Sequence, residues 1–562
     1  MSRLPMRRTD RMAVLVPVVV MFALGLWGLD RDGMWRDEAV TFQVARRSTP
    51  QIWHLLGTVD AVHGLYYLLM HMVLAVHPGE VLLRLPSVCG AALTAGLVAA
   101  LGTRLGRPRV GLWAGLLYAV TPMVGHYAQE GRSYALVAAG VAGATLLLVR
   151  AVRGGTWWPY GVVVAVTCVL HEFAVLVLLA HACTLALARV PGKAWLRWLC
   201  AVGAALVVLL PLVLVSRGQA AQVAWLTAPD GRSVERLVGE FAGPARVVLV
   251  PYLVLMALAV RLPEPKPGVS LAGVALPLMV LPPAVLMGVS QVSPLYDDRY
   301  VLYSLAGAPL LAAAGAERVA RAVWRLWPGG RYAGSRSAWG NDCPRTDGTA
   351  TGDPLPAAPG GPGPTGGGVA LRQRSRVPVV EARAVVRRPS WPWRRGVALA
   401  GVLAVCGVLL VQFPLLRADR RAVNRPDDLA AVAAAAGREV RPGDPVLFLP
   451  SLERRSALAY PAGFRGVRDV ALDVPAAVDG TLYGREAGPA ELRRRLGGLA
   501  YVWVVGDPSA LRPSWTPWNP TERAKRAVIN EEFVTRKEYM IRGVTLRLYV
   551  RRDASRSAGG RT

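Results

Sequence analysis

The sequence predicts a polytopic α-helical membrane protein with a small α/β domain at its C-terminal end. Three observations carry this. Of the 562 residues, 53% are hydrophobic and only 18% charged, against about a quarter charged in an ordinary soluble domain. Apolar runs recur that are long enough, at roughly 18 residues, to cross a hydrocarbon core about 30 Å thick. After residue 414 the pattern changes to short strands alternating with polar helices.

Taken in order, the apolar runs give about eleven transmembrane helices: 12–29, 81–101, 110–125, 133–150, 157–170, 173–188, 196–215, 246–261, 270–289, 300–315 and 396–413. The first, within "RMAVLVPVVVMFALGLWGL", has no small-residue cleavage site behind it and is kept as an anchor. An odd number puts the two termini on opposite sides of the membrane.

Net charge is +28, and its placement sets the orientation. With the N-terminus cytoplasmic, the loops "GTRLGRPR", "RAVRGG", "RVPGKAWLR" and "RLPEPKPG" are also cytoplasmic, as excess Lys and Arg require. Their natural partners are anionic lipid headgroups. No basic stretch is interleaved with aromatics on a folded module, so nucleic acid is not expected as a partner. The same assignment sends every acidic cluster to the other face: "DRDGMWRDEAV", "HYAQEGRS", "HE" and "SPLYDDRY". Carboxylates gathered at one mouth of a membrane protein point to a site there. The Ala, Arg, Gly and Val excess suggests a high-GC bacterial genome, hence a bacterial plasma membrane.

The domains follow from these runs. Residues 1–315 form the membrane region, with a long outer loop at 30–80. In that loop "DEAVTFQVARR" has an amphipathic helical pattern, and "TPQIWHLL" reads as a Thr cap, a Pro and a short helix. "HGLYYLLMHMVLAV" (63–76) is apolar but short, as in an interfacial or re-entrant helix. Residues 316–395 are rich in Gly, Pro, Arg and Ser and read as a disordered basic cytoplasmic linker. The last span, 396–413, leads to an extracytoplasmic α/β domain over 414–562. There "RPDDLAAVAAAAGREV" and "PAELRRRLGGL" read as helices, "DPVLFLP" and "AYVWVVGD" as strands, and the tail as two more strands. Six cysteines without a CxxC pair support neither a zinc site nor a redox motif.

The candidate site residues lie on the outer side. Asp37 and Glu38 sit just beyond the first span. Acids suit a helix N-terminus, but a carboxylate in a partly dry cleft can also act as a general base. A carboxylate pair can hold a divalent metal against a phosphate, so metal use is left open. Glu130, Arg132 and Tyr134 fall in "HYAQEGRSYAL", and Arg299 and Tyr300 open the tenth span in "LYDDRYVLYSL". An arginine in such a place is a natural phosphate clamp, or else one half of a surface ion pair or a snorkelling side chain. His63 is a further ligand or proton-carrier candidate, with His71 eight residues on. Asp60, His171, Glu172, Asp297 and Asp298 form a second tier. His54, His77 and His181 are read as structural.

The order of these motifs resembles a known family. "WRDEAVT" follows the first span, "HGLYYLLMH" lies in the same loop, then come "LRLPSVCGAALTAGLVAALGTRLGRPRVGLWAGLLYAVTPMVGHYAQEGRSYAL" and "DDRYVLYSLAGAPLLAAAG". Over residues 10–315 this is similar to the bacterial membrane glycosyltransferases of the C-type fold, family 39-like, whose relatives include protein O-mannosyltransferases and lipid A aminoarabinose transferases. The resemblance implies a polyprenyl-phosphate sugar as donor, a mannose-like hexose or a pentose moved to a protein, lipid or glycan acceptor outside the cytoplasm. It implies Asp37, with Glu38 beside it, as the catalytic carboxylate, acting as base. Arg132 and Arg299 are then the phosphate clamps. The family's His-Pro-Pro is "HGL" here, and Arg36 precedes Asp37. Two other classes compete: a flippase for a lipid-linked sugar, which would need midplane charge and repeats, and a non-catalytic membrane protein whose outer domain binds a glycan.

Overall fold

The computed structural model describes residues 8–30, 33–260, 268–326, 391–421, 424 and 427–552. All eleven apolar segments are helical. Among the described residues six helices are long and apolar enough to cross a membrane, or seven if 231–242 and 246–259, bent by 85°, count as one span. The other segments are shorter or broken: 108–119 stops before Pro122, and 300–315 is half 3-10 helix (Asp298–Ala306) and half α-helix (Gly307–Leu326).

The N-terminal elements set the site. Helix α1 (Arg8–Leu26) leads to α2 (Arg36–Ala45), α3 (Thr49–Leu56), α4 (Gly64–Val76) and α5 (Glu80–Leu105). Two expectations for the first loop are corrected. Helix α2 is not amphipathic: every residue from Glu38 to Ala45 is buried, because the C-terminal domain covers the side that the sequence pattern left for water. The cap of α3 is Ser48, whose backbone N–H bonds Gln51 at 3.0 Å, with Thr49 and Pro50 inside the helix. Gly90 is the point where α5 meets helix 134–152; a Cβ there would lie 3.0 Å from the backbone of Ala135. That close approach fixes the loop between residues 127 and 134 relative to α5.

The chain divides into two compact units, Met1–Arg318 with Leu399–Thr562, and Val319–Ala398. Helix Gly307–Leu326 runs some ten residues past the expected linker start at 316, and helix Trp391–Asp419 begins before the expected end at 395. The rest of that linker, 327–390, lies outside the described residues, as do Asp32 and the loop 261–267.

The C-terminal domain is built on a five-stranded sheet. Its strands are β1 (Pro445–Leu449), β2 (Arg468–Asp469), β5 (Tyr501–Gly506), β6 (Phe533–Ile541) and β7 (Val544–Arg551); β3 (Leu472–Val474) and β4 (Arg485–Glu486) form a separate ribbon. The sheet order is β2-β1-β5-β7-β6, parallel across β2, β1 and β5 and antiparallel beyond. Leu447, Val502 and Val504 pack on Leu492, Leu496, Val528 and Ile529 of the covering helices. The expected strands and helices are all present. The helix Pro520–Glu532 was not expected; its charged face hides the pattern carried by Ala524, Val528 and Ile529.

Candidate active site

One ion pair builds the floor of the site. Glu38 and Arg84 are both fully buried. Arg84 Nε donates to Glu38 Oε1 at 2.8 Å and Nη2 to Oε2 at 2.9 Å. The same guanidinium bonds the carbonyls of Leu29 and Gly33, at 3.1 and 2.8 Å. The Gly131 N–H donates to Glu38 Oε1 at 3.0 Å. Ser87, one turn along α5, donates to the carbonyls of Glu130 and Arg132. So α5 ties the end of the first span, the start of α2 and the 130–132 loop into one frame.

Asp37 faces the other way. Its Oδ2 lies 2.7 Å from Arg299 Nη1 and 3.6 Å from Arg132 Nη2. The paired carboxylates of the motif therefore do different things: Asp37 is in the cleft, and Glu38 is spent on Arg84. Burial works against ionisation of Asp37, but the two guanidiniums outweigh it and hold the carboxyl below the ordinary carboxylate range. The carboxyls that burial raises in this group are Glu130 and Asp60. Both Glu130 oxygens are buried without a hydrogen-bond partner, and burial pushes the group up to about 7.

Aromatic rings wall the cleft. Arg299 lies 5.8 Å over Tyr134 and 5.6 Å over Tyr300. Tyr300 is 5.1 Å from His171 and 5.4 Å from Phe173, and His171 is 6.3 Å from His63. The Nδ1 atoms of both histidines are buried without partners. Burial keeps both imidazoles neutral, His171 at about 3. Asp60 accepts from Tyr67 Oη at 2.6 Å, and Tyr67 Oη lies 3.5 Å from Arg132 Nη1. Asp37, Asp60, His63, Glu130, Arg132, Tyr134, His171, Arg299 and Tyr300 thus converge, as their shared side of the membrane predicts.

Three candidates sit outside this group, and Asp297 lies at its edge, its Oδ1 3.4 Å from Arg299 Nε. Glu172 accepts from Ser216 Oγ at 2.8 Å. Asp298 takes Arg236 and Tyr296, at 2.5 and 2.7 Å, on the wall of a neighbouring cavity of about 340 Å³. Asp297 caps the 3-10 helix through the Arg299 N–H. His71 donates Nδ1 to the Ala45 carbonyl at 2.8 Å and does not join His63. His181 is structural as expected, bonded to Thr145 and Tyr160, while His54 and His77 are exposed. Among the described residues no three His, Cys, Asp or Glu side chains come together as a metal-ion ligand set. A cation at Asp37 would meet two guanidiniums, so the residues there do not fit a metal.

Glu130 gives a pH prediction. Its folded form keeps a proton that the unfolded chain releases, so stability is full below the ordinary glutamate value of 4.5 and is lost as pH rises toward about 7. Glu130→Gln is expected to remove this loss. Melting curves of both proteins between these pH values check it; identical slopes would disprove it.

Arg84 and the contribution of the C-terminal domain are not among the features that the sequence singles out. An arginine inside an apolar run must find a partner, and that signal could have found the Glu38 pair. Nothing in the sequence locates Tyr460, whose hydroxyl accepts the Met34 N–H at 2.7 Å and donates to Glu80.

A half-buried carboxylate between two arginines lies at the mouth of a helix bundle and under an α/β domain, in a polytopic membrane protein that has the C-type glycosyltransferase fold. The particular likeness is to ArnT from Cupriavidus metallidurans. In the apo state the TM-score is 0.56 at 13% identity, covering 95% of this chain and 97% of that one. With undecaprenyl phosphate bound it is 0.55 at 14%, with the same coverage. No family model matches the chain, and no curated protein does. At these identities the likeness shows the fold.

Proposed function

We propose that the protein moves a sugar from a polyprenyl-phosphate carrier to an acceptor on the extracytoplasmic face of a bacterial plasma membrane. The observation that carries this is Asp37 Oδ2 held by Arg299 and Arg132 at the mouth of the bundle. A solved structure of the same fold has undecaprenyl phosphate bound. The basic loops on one side and the acidic cluster on the other support a cytoplasmic N-terminus.

The chemistry follows from that geometry. Guanidiniums match a phosphate better than a single carboxylate oxygen. An arriving phosphate therefore takes over Arg132 and Arg299, and Asp37 loses the charges that depress its pKa. Its basicity rises when donor is bound. The acceptor oxygen then bonds to the anomeric carbon, the bond from that carbon to the phosphate oxygen breaks, and the acceptor proton passes to Asp37. The leaving phosphate keeps the electron pair and is stabilised by both arginines. The aromatic wall of Tyr134, Tyr300 and Phe173 stacks against the donor sugar.

A panel of polyprenyl-phosphate hexoses and pentoses, with membrane extract as acceptor, tests the reading. One donor is expected to be consumed. Arg299→Ala is expected to weaken polyprenyl-phosphate binding by roughly 10- to 150-fold, the worth of a charge-assisted hydrogen bond. Wild-type protein that neither binds the lipid phosphate nor consumes any donor would defeat it.

A further inference from the structure

A cavity of about 340 Å³ opens beside the arginine–aspartate site, and no step of the transfer draws on its walls. Two segments far apart in the chain build it. Trp225 lies in the loop before helix Gly231–Ala242, which supplies Ser233 and Arg236; Tyr296, Asp297 and Asp298 lead into the 3-10 helix. Gln291 Nε2 donates to the Pro229 carbonyl at 2.8 Å and ties the two segments together. Arg236 Nε donates to Asp298 Oδ2 at 2.5 Å, and Tyr296 Oη to Asp298 Oδ1 at 2.7 Å. The walls are thus held by hydrogen bonds, while the mouth is open: Trp225 is 61% exposed and the Arg236 side chain 55%.

The cavity meets the reaction centre through one side chain. Asp297, on its wall and 25% exposed, holds Oδ1 3.4 Å from Arg299 Nε; Nη1 of the same guanidinium is 2.7 Å from Asp37 Oδ2. A guanidinium is narrower than a sugar ring, so a ligand seated against Asp297 reaches past Arg299 to Asp37. The donor takes Arg132, Tyr134 and Tyr300, none of which lines the cavity. That leaves the cavity for the second substrate.

The lining selects the ligand class. Each carboxylate already faces an arginine, Asp298 with Arg236 and Asp297 with Arg299, so the charges nearly cancel. An anionic group would meet the two carboxylates, and a cation would meet Arg236. Hydroxyls suit both, because each accepts from a guanidinium N–H and donates to a carboxylate oxygen. The exposed indole of Trp225 offers a flat face to the C–H side of a sugar ring and an N–H at its edge. The volume is at the small end of ligand sites, about 300–1,000 Å³, which suits a sugar unit rather than a lipid chain.

We propose that this cavity binds the acceptor, a neutral carbohydrate whose ring rests on Trp225 and whose hydroxyls meet Arg236, Asp297 and Asp298. This rests on the transferase reading above. The hydroxyl that reaches Asp37 supplies the oxygen that bonds to the anomeric carbon and gives its proton to Asp37, while the leaving phosphate keeps the electron pair.

The test uses the full chain in detergent, with Trp225→Ala, Trp225→Phe and Arg236→Gln. Undecaprenyl phosphate probes the donor site. A labelled polyprenyl-phosphate sugar, with membrane extract separated into neutral glycans and phosphorylated lipids, probes transfer. Label is expected in the neutral glycans. Acceptor KM is expected to rise about tenfold in Trp225→Ala and Arg236→Gln, with kcat, donor KM and lipid-phosphate binding within about twofold of wild type. Trp225→Phe keeps a ring and is expected to stay within about threefold. Trp225 is mostly exposed, so its variants decide the matter even where Arg236→Gln fails to fold. Wild-type acceptor KM in Trp225→Ala would overturn the assignment and leave Trp225 as an interfacial anchor. A raised donor KM would give the cavity to the donor sugar instead, and label in the phosphorylated lipids would overturn the neutral class. Wild-type protein that binds no lipid phosphate would fail the transferase reading itself.

Discussion

Asp37→Asn is expected to reduce sugar transfer by about 10²–10⁴-fold, the usual worth of a positioned general base. The same change should leave lipid-phosphate binding intact or tighten it. In the resting protein Asp37 competes for Arg299 and Arg132, at 2.7 and 3.6 Å; asparagine removes that competitor. The side chain of Asp37 is 24% exposed, so water softens the effect of the lost charge on folding. Transfer rates and lipid-phosphate affinity, measured on one preparation, check both halves. Full transfer by Asp37→Asn would remove it from the mechanism. Lost binding with lost transfer would make Asp37 part of the phosphate site instead.

Arg84→Ala is expected to destabilise the protein by about 3–5 kcal/mol, because Glu38 would be left as an uncompensated buried charge. Both side chains are 0% exposed, so screening by water does not reduce the cost. Replacing both by leucine should recover much of the stability but not the activity. Gly131, Leu29 and Gly33 would lose their common anchor, and Arg132 would be set loose. Denaturation midpoints of the single and double variants decide this. An unchanged midpoint in Arg84→Ala would show that the pair contributes little.

The two variants separate what was legible in the sequence from what was not. Hydropathy and charge asymmetry located the helices and the residues that converge at one mouth of the bundle, because membrane thickness and the cost of buried charge act along the chain. They found Arg132, Arg299, Tyr134 and Tyr300 for that reason. They could not divide the "DE" pair, since neighbouring residues on a helix point about 100° apart and only the packing of α5 decides which one meets Arg84. Nor could they tell which carboxyls burial raises, since that depends on who lies opposite. Glu130 has no partner for its carboxylate, while Asp37 has two arginines. The sheet strands were legible from their apolar runs. The helix Pro520–Glu532 was not, because its buried stripe is only a few residues wide.

The bond from Met34 to Tyr460 joins residues 426 positions apart, and Arg36 and Thr58 make contacts nearly as distant with Asp427 and Gly480. The loop that carries Asp37 is synthesised long before the segment that covers it. Until the C-terminal domain has been made and folded, the side of α2 that it covers is bare. A nascent or truncated chain therefore carries every residue of the arginine–aspartate site without a closed pocket around it. The enclosure of Asp37 therefore depends on a segment made long after it.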